Sequence, residues 1–146
     1  MIKATIFSFL FLIFSCNSTK KVTEQQVSSI EQLHDIWMLK AINDLEIDQE
    51  KFEGRKRIPI LEIYLKEKRI GGNDSCNDLF GKIEMVNESA ISFTGLGGTK
   101  MACPDMTIAY EYGKALVQTR SYKVEKLNLL LYDGKGKELL KFLKID

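Results

Sequence analysis

Apolar and polar positions alternate with a period of two along most of the chain, and a helical period appears once. The run Ile36-Trp37-Met38-Leu39-Lys40-Ala41-Ile42 reads as an opening strand. Residues 44–57 are charged, with Leu45, Ile47 and Phe52 isolated among them, and read as a loop that tucks one apolar residue inward. Ile60-Leu61-Glu62-Ile63-Tyr64-Leu65 alternates, residues 66–68 turn, and Arg69-Ile70-Gly71-Gly72 pairs back, which predicts a hairpin. Pro59, just before the first of these strands, suits a position that needs no ladder donor. A loop over residues 71–81 follows, holding Cys76. Lys82-Ile83-Glu84-Met85-Val86 and Ala90-Ile91-Ser92-Phe93 then flank Asn87-Glu88-Ser89 as a second hairpin, with Ile83 and Met85 on one face with Ile91 and Phe93.

The helical period begins after Cys103. Pro104 is expected to start the helix, where its missing N–H costs nothing, with Asp105 favourable in the first turn. Ile108, Tyr112, Ala115, Leu116 and Thr119 recur at helical spacing and mark the buried stripe. Residues 121–124 and 126–132 read as strands about a turn at Glu125, and Asp133-Gly134-Lys135-Gly136 turns into a last strand over 138–143. Leu129-Leu130-Leu131 breaks the alternation, the pattern of a strand covered on both faces. The expectation is an α+β, mainly β chain of about seven or eight short strands and one helix of about four turns.

The amino terminus changes the picture from a plain globular chain. Met1-Ile2-Lys3 is a short positive start and residues 6–14 are apolar apart from Ser8, the length of a secretory h-region and too short to span a bilayer. Ile13-Phe14-Ser15-Cys16 resembles a bacterial lipobox. This predicts a signal peptide over residues 1–15, lipidation at Cys16, a polar tether through residue 35 and one domain over 36–146. The membrane is then a partner through the acylated Cys16, and Asn17 rather than Asp after it favours the outer membrane over the inner one by the usual sorting rule, with the periplasmic face expected. Cleavage removes Lys3 and no acid, which leaves 20 basic and 20 acidic side chains. Such a balance makes nucleic acid an unsuitable partner.

Candidate chemistry is sparse. With Cys16 acylated, Cys76 and Cys103 remain in an oxidising compartment, where an even count favours a disulfide; buried free thiols and a metal or redox pair are the alternatives. There is no Cys-x-x-Cys, and the one histidine, His34, precedes the domain. Gly95-Leu96-Gly97-Gly98-Thr99-Lys100 lacks the spacing of a phosphate loop and reads as a hairpin exit needing positive φ. No histidine stands in the domain to activate a serine, and Asp74, Asp78, Glu84 and Glu111 show no pairing spacing, so a non-enzymatic chain without cofactor or metal is expected. Trp37, the one tryptophan, is either a core anchor or a ligand-stacking ring.

Taken together these residues resemble the META domain, the domain of the HslJ-type heat-shock lipoproteins of bacterial envelopes, over about residues 36–143. The resemblance rests on Trp37 and Leu39, Gly72 through Cys76-Asn77 and Gly81, Ile91 and Phe93, Thr99, Met101-Ala102-Cys103, Glu111 and Leu116, and Leu129, Leu131, Leu140 and Phe142. Asp74-Ser75 stands where the family commonly has further glycine. The resemblance implies a strongly curved, mostly antiparallel half-barrel sheet with the helix packed against it, loose links to envelope stress, and no catalytic residues. The reading is a monomeric, lipid-anchored envelope protein that contacts other envelope proteins, with a carrier of a small apolar ligand in the half-barrel mouth as the alternative. Trp37, Asn77, Phe93, Glu111 and Tyr112 are the candidate ligand or contact residues; Glu111 is expected to hydrogen-bond from the helix to the cysteine loop.

Overall fold

The computed structural model describes residues 30–52 and 57–145. The signal peptide, Cys16 and the tether as far as residue 29 lie outside the described residues. The strands are β1 (Ile36–Ile42), β2 (Leu45–Glu46), β3 (Ile60–Tyr64), β4 (Arg69–Asn73), β5 (Asp78–Val86), β6 (Ile91–Gly98), β7 (Ser121–Glu125), β8 (Asn128–Tyr132) and β9 (Glu138–Lys144), with helix α1 (Thr107–Gln118) between β6 and β7. They form one antiparallel sheet in the order β6-β5-β4-β3-β1-β9-β8-β7, with β2 added to β1. This is the curved half-barrel with one packed helix that the resemblance implies, built from the strands and helix that the residue pattern predicts.

Curvature comes from local irregularity. Register shifts interrupt the β1–β9, β5–β6 and β8–β9 pairings, and an extra residue on one strand bends it and adds twist. The two ends of the sheet then meet at one point. Ala90 bridges Ser121, the Ile91 N–H donates to the Arg120 carbonyl (3.2 Å), and the Tyr122 N–H donates to the Ser89 carbonyl (2.9 Å). The turn between β5 and β6 therefore closes on β7, while α1 lies along the rest of β6.

The interior is filled from both openings. Trp37, Leu39, Leu61, Ile63, Ile70, Ile91, Leu129, Leu131 and Phe142 form the core, and α1 buries Ala109, Tyr112, Ala115 and Leu116 against it. At the Ile36 end of β1, Leu33 is fully buried and its carbonyl accepts the indole N–H of Trp37 (3.1 Å), so the packed body reaches back before the first strand. Asp35 pairs with Lys144 at the same end.

Several elements differ from the alternation pattern for identifiable reasons. β5 starts at Asp78 and β6 runs on to Gly98, so residues 78–81 and the glycine run are strand rather than loop and hairpin exit. Only Gly95 of that run has positive φ (58°). A Cβ on Gly98 would lie 2.4 Å from the Asp78 carbonyl oxygen and one on Gly97 2.8 Å from the Phe80 ring, so closeness to β5 explains the glycines. The helix starts at Thr107, not at Pro104: Cys103 is tied to Cys76, Met106 has φ −106° and ψ 4°, outside the helical range, and the Asp105 carboxylate accepts the Thr107 N–H (3.0 Å). Leu130 is half-buried while Leu129 and Leu131 are buried, so β8 has one core face and one outer face rather than two covered ones. In the charged segment Ile47 is the residue tucked inward, carried there by β2 and followed by a 3-10 turn over Gln49–Phe52.

Candidate functional site: the disulfide loop and its cleft

The loop between β4 and β5 is built by short side chains that take over backbone hydrogen bonds. The Asp74 carboxylate accepts the N–H groups of Cys76 (2.9 Å) and Asn77 (2.6 Å), and the Asn73 side-chain oxygen accepts that of Ser75 (3.0 Å). Ser75 sits at φ 86°, in a region that favours glycine, at the position where glycine was expected. Gly72 has φ 131°, and a Cβ there would lie 2.1 Å from the Ile60 carbonyl oxygen, so the β3–β4 approach requires glycine.

Cys76 is bonded to Cys103, with Cα atoms 6.1 Å apart and a sequence separation of 27. The free-thiol and metal alternatives are thereby removed. Beside the bridge, the buried Asn77 side-chain oxygen accepts the Met101 N–H (2.7 Å) and the Thr99 hydroxyl (3.2 Å), and the Thr99 hydroxyl accepts the Asp78 N–H (3.1 Å). The motif residues Asn77, Thr99, Met101 and Cys103 are thus one clamp that joins the β4–β5 loop to the approach to α1. Its chemistry is structural: the buried amide oxygen is occupied by two donors of the protein itself.

The other candidate residues separate into core and surface. Trp37 and Tyr112 are fully buried and Phe93 nearly so. The Tyr112 hydroxyl donates to the Ile60 carbonyl (3.3 Å) and its ring meets Phe142 edge-on at 6.1 Å. Burial, with a smaller contribution from the negative charge of Asp74, pushes this phenol well above its ordinary value of 10.0. Glu111 is half-exposed and its carboxylate lies 3.7 Å from Lys114 one turn on, so its ion-pair partner is on the helix itself.

A cleft opens where one edge of β1 changes partners. Its Ile36–Met38 part pairs with β3 and its Ala41–Ile42 part with β2. The space, about 680 Å³, is walled by Leu45, Ile47 and Phe52 on one side and by the disulfide, Met101, Pro104 and Ile108 on the other. A shallower groove continues from Leu45 and Ile108 to Glu111. Arg57 stands over the disulfide: its guanidinium donates to the Asp78 carboxylate (2.8 Å) and to the Cys76 carbonyl (3.4 Å). Trp37, Phe93 and Tyr112 line no part of this cleft. The residues that do line it from 45 to 57 sit in the one stretch without periodicity, where the isolated apolar residues in a charged run were the available signal. Among the described residues no group of three or more His, Cys, Asp or Glu side chains could hold a metal ion.

Residues 29–145 match the family model of the META domain. The chain belongs to the META domain family. Solved structures share the fold. A protein from Burkholderia xenovorans, determined by NMR, is similar at TM-score 0.60 with 23% identity, covering 78% of this chain and 85% of that one. A second NMR structure gives TM-score 0.59 at 20% identity, covering 80% and 94%. A crystal structure of a DUF4847 family protein from Bacteroides vulgatus gives TM-score 0.52 at 15% identity, covering 78% and 96%. No curated protein matches the chain in sequence. The match begins at residue 29, so this META domain includes Leu33 and His34 ahead of β1.

Proposed function

We propose that this META protein is a non-enzymatic, lipid-anchored protein of the bacterial envelope, held at the outer membrane by acylated Cys16, whose domain makes protein or envelope contacts in stress tolerance. The observation that carries the reading is the filled barrel: Trp37, Phe93 and Tyr112 pack against one another's neighbours instead of lining a cavity, which leaves the outer surface for function. The sequence supports the anchor, through Ile13-Phe14-Ser15-Cys16 and the polar stretch behind it. Multiple acyl chains on one residue give stable anchoring without a spanning helix. Mass spectrometry of the mature protein from its native host should find an acylated amino-terminal cysteine; a soluble mature chain starting elsewhere would remove the anchor. Crosslinking in intact envelopes followed by purification tests the contacts, with a reproducible neighbour expected and a chain recovered alone counting against them.

A second reading, a carrier of a small apolar ligand, has one observation in its favour: the 680 Å³ cleft beside the disulfide is of ligand-binding size and mostly apolar. Such a carrier would use this outer cleft and not the barrel mouth, which α1 fills.

A further inference from the structure

We propose that the cleft beside the Cys76–Cys103 bridge takes a small amphiphile with an apolar body and one ammonium head, drawn by the carboxylates of Asp44 and Glu46. The inference rests on the carrier reading and adds the class of ligand. The cleft and the groove that continues it share two apolar walls, Leu45 and Ile108. Their charged border is mostly acidic: Asp44, Glu46, Asp48, Asp105 and Glu111 stand against Lys51 and Arg57. With Glu53, Arg55 and Lys56 of the stretch outside the described residues counted in full, the acids still lead by six to four. Both bordering cations are already matched, Lys51 by Asp48 at 3.7 Å and Arg57 by Asp78 at 2.8 Å. Two further acids are matched as well. The Asp105 carboxylate accepts the Thr107 N–H (3.0 Å) at the positive end of α1, and Glu111 lies 3.7 Å from Lys114. Among the described residues no cation pairs with Asp44 or Glu46. They flank Leu45 in the chain, Asp44 on the groove and Glu46 on the cleft, so the charge left over is negative and sits where the two spaces join.

An occupant that complements this border carries positive charge on an apolar body. Among the described residues no three acidic side chains gather as metal ligands, so a bare ion finds no cage. An ammonium on an apolar body needs only the negative charge nearby, with the walls to cover its body. Burial of the body supplies the affinity and the two carboxylates supply the choice of head group. Size agrees with that class: a cleft of about 680 Å³ admits a medium-length alkyl chain or a fused-ring amine and leaves room for no folded partner.

The test uses the chain without its first sixteen residues, which retains the whole described body and carries 20 basic and 20 acidic side chains, so overall charge favours neither sign of ligand. Decyltrimethylammonium, decyldimethylamine oxide and decanoate share an alkyl chain and differ in the charge of the head. Each is titrated calorimetrically below its micellar concentration at neutral pH, where the amine oxide has no net charge. The cation is expected to bind about tenfold more tightly than the amine oxide, and decanoate more weakly than either. The double variant Asp44→Asn, Glu46→Gln should weaken the cation by about fivefold or more and leave the amine oxide unchanged. Leu45→Ser, which removes the shared apolar wall, should weaken all three. The three positions are exposed, so these changes cost little stability, and an unchanged melting temperature verifies the fold of each variant. If the three probes bind alike while Leu45→Ser weakens them all, the ammonium assignment is overturned and a carrier of neutral ligands stands; it is overturned likewise if the preference for the cation survives the double variant. If no probe binds, or binding ignores Leu45→Ser, the carrier reading falls with it.

Discussion

At single residues, the conformation of the cysteine loop makes Ser75 and Tyr112 informative. Ser75 holds a backbone angle that costs a side-chain-bearing residue about 1 to 2 kcal/mol, offset locally by the Asn73 and Asp74 side chains. Replacement by glycine removes that strain and adds about 0.5 to 1 kcal/mol of unfolded-state entropy, so Ser75→Gly should stabilise by about 0.5 to 1 kcal/mol. Thermal unfolding should show a rise of about 2 to 4 °C, and a fall would mean that the serine side chain makes a contribution of its own. The sequence marked this site only through the family resemblance, which implies glycine around Asp74-Ser75, and the φ value is set by the turn as a whole and is not readable from one residue. Tyr112 carries a pH signature. Its phenol titrates near 10 in the unfolded chain and well above that when buried, so above pH 10 the unfolded state has released a proton that the native state keeps. Stability contributed by this group is therefore fully present below pH 10 and declines as pH rises further, by up to about 1.4 kcal/mol per pH unit. Tyr112→Phe should flatten this alkaline decline in urea unfolding measured at pH 9 to 11, at the cost of the long 3.3 Å bond to Ile60. An identical pH slope in the variant would assign the decline to other groups.

Among the elements, those with local period were legible and those set by long-range closeness were not. The first strand and the hairpin β3–β4 follow directly from alternation, and the inward stripe of α1 follows from helical spacing. The start of α1, the length of β6 and the course of residues 44–57 depend on distant partners: the disulfide, the β5 backbone and the notch between β2 and β3. No period in the sequence encodes those contacts. The core role of Trp37 was legible as one of two readings, whereas Arg57 was invisible because nothing near it in sequence announces a cleft. The disulfide is the element-scale device that joins these parts. It closes a separation of 27 residues and fixes the approach to α1 against the β4–β5 loop, for which the chain-entropy estimate is about 3 to 4 kcal/mol. That is a large share of the roughly 5 to 15 kcal/mol that stabilises a domain. A reductant should lower the melting temperature of the wild type by about 10 °C and leave a Cys76→Ser, Cys103→Ser double variant unmoved. Equal melting temperatures for oxidised and reduced wild type would mean that the Asn77 clamp alone holds the loop.

For the whole molecule, the half-barrel is nearly closed, and the quality of its closure differs around the ring. Most neighbouring long strands are joined by ladders of five or more residue pairs, as in β3–β4, β4–β5 and β7–β8. The seam between the two ends of the sheet rests on the single Ala90–Ser121 bridge, its two flanking backbone bonds, and the Tyr122 hydroxyl donating to the Asn87 carbonyl (2.9 Å). Beyond it the edge of β7 carries Lys123 and Glu125, paired at 2.5 Å, and charged side chains on an unpaired edge discourage pairing with another chain. Local opening follows the weakest ladder, so the seam should open at a free energy well below global unfolding. Native-state hydrogen exchange is expected to release the amides of Ile91 and Tyr122, which donate across the seam, before the amides of the β8–β9 ladder. Ala90→Pro should sharpen this difference. It removes the N–H that donates to the Asn87 side chain (2.9 Å) and disturbs the turn that meets β7, yet it touches nothing in the core, so it should cost about 1 to 3 kcal/mol and abolish seam protection while the β8–β9 amides stay protected. If Ile91 and Tyr122 exchange only with the β8–β9 amides in the unaltered protein, the seam is part of the global unit, and closure at one bridge suffices to make the curved sheet a cooperative barrel.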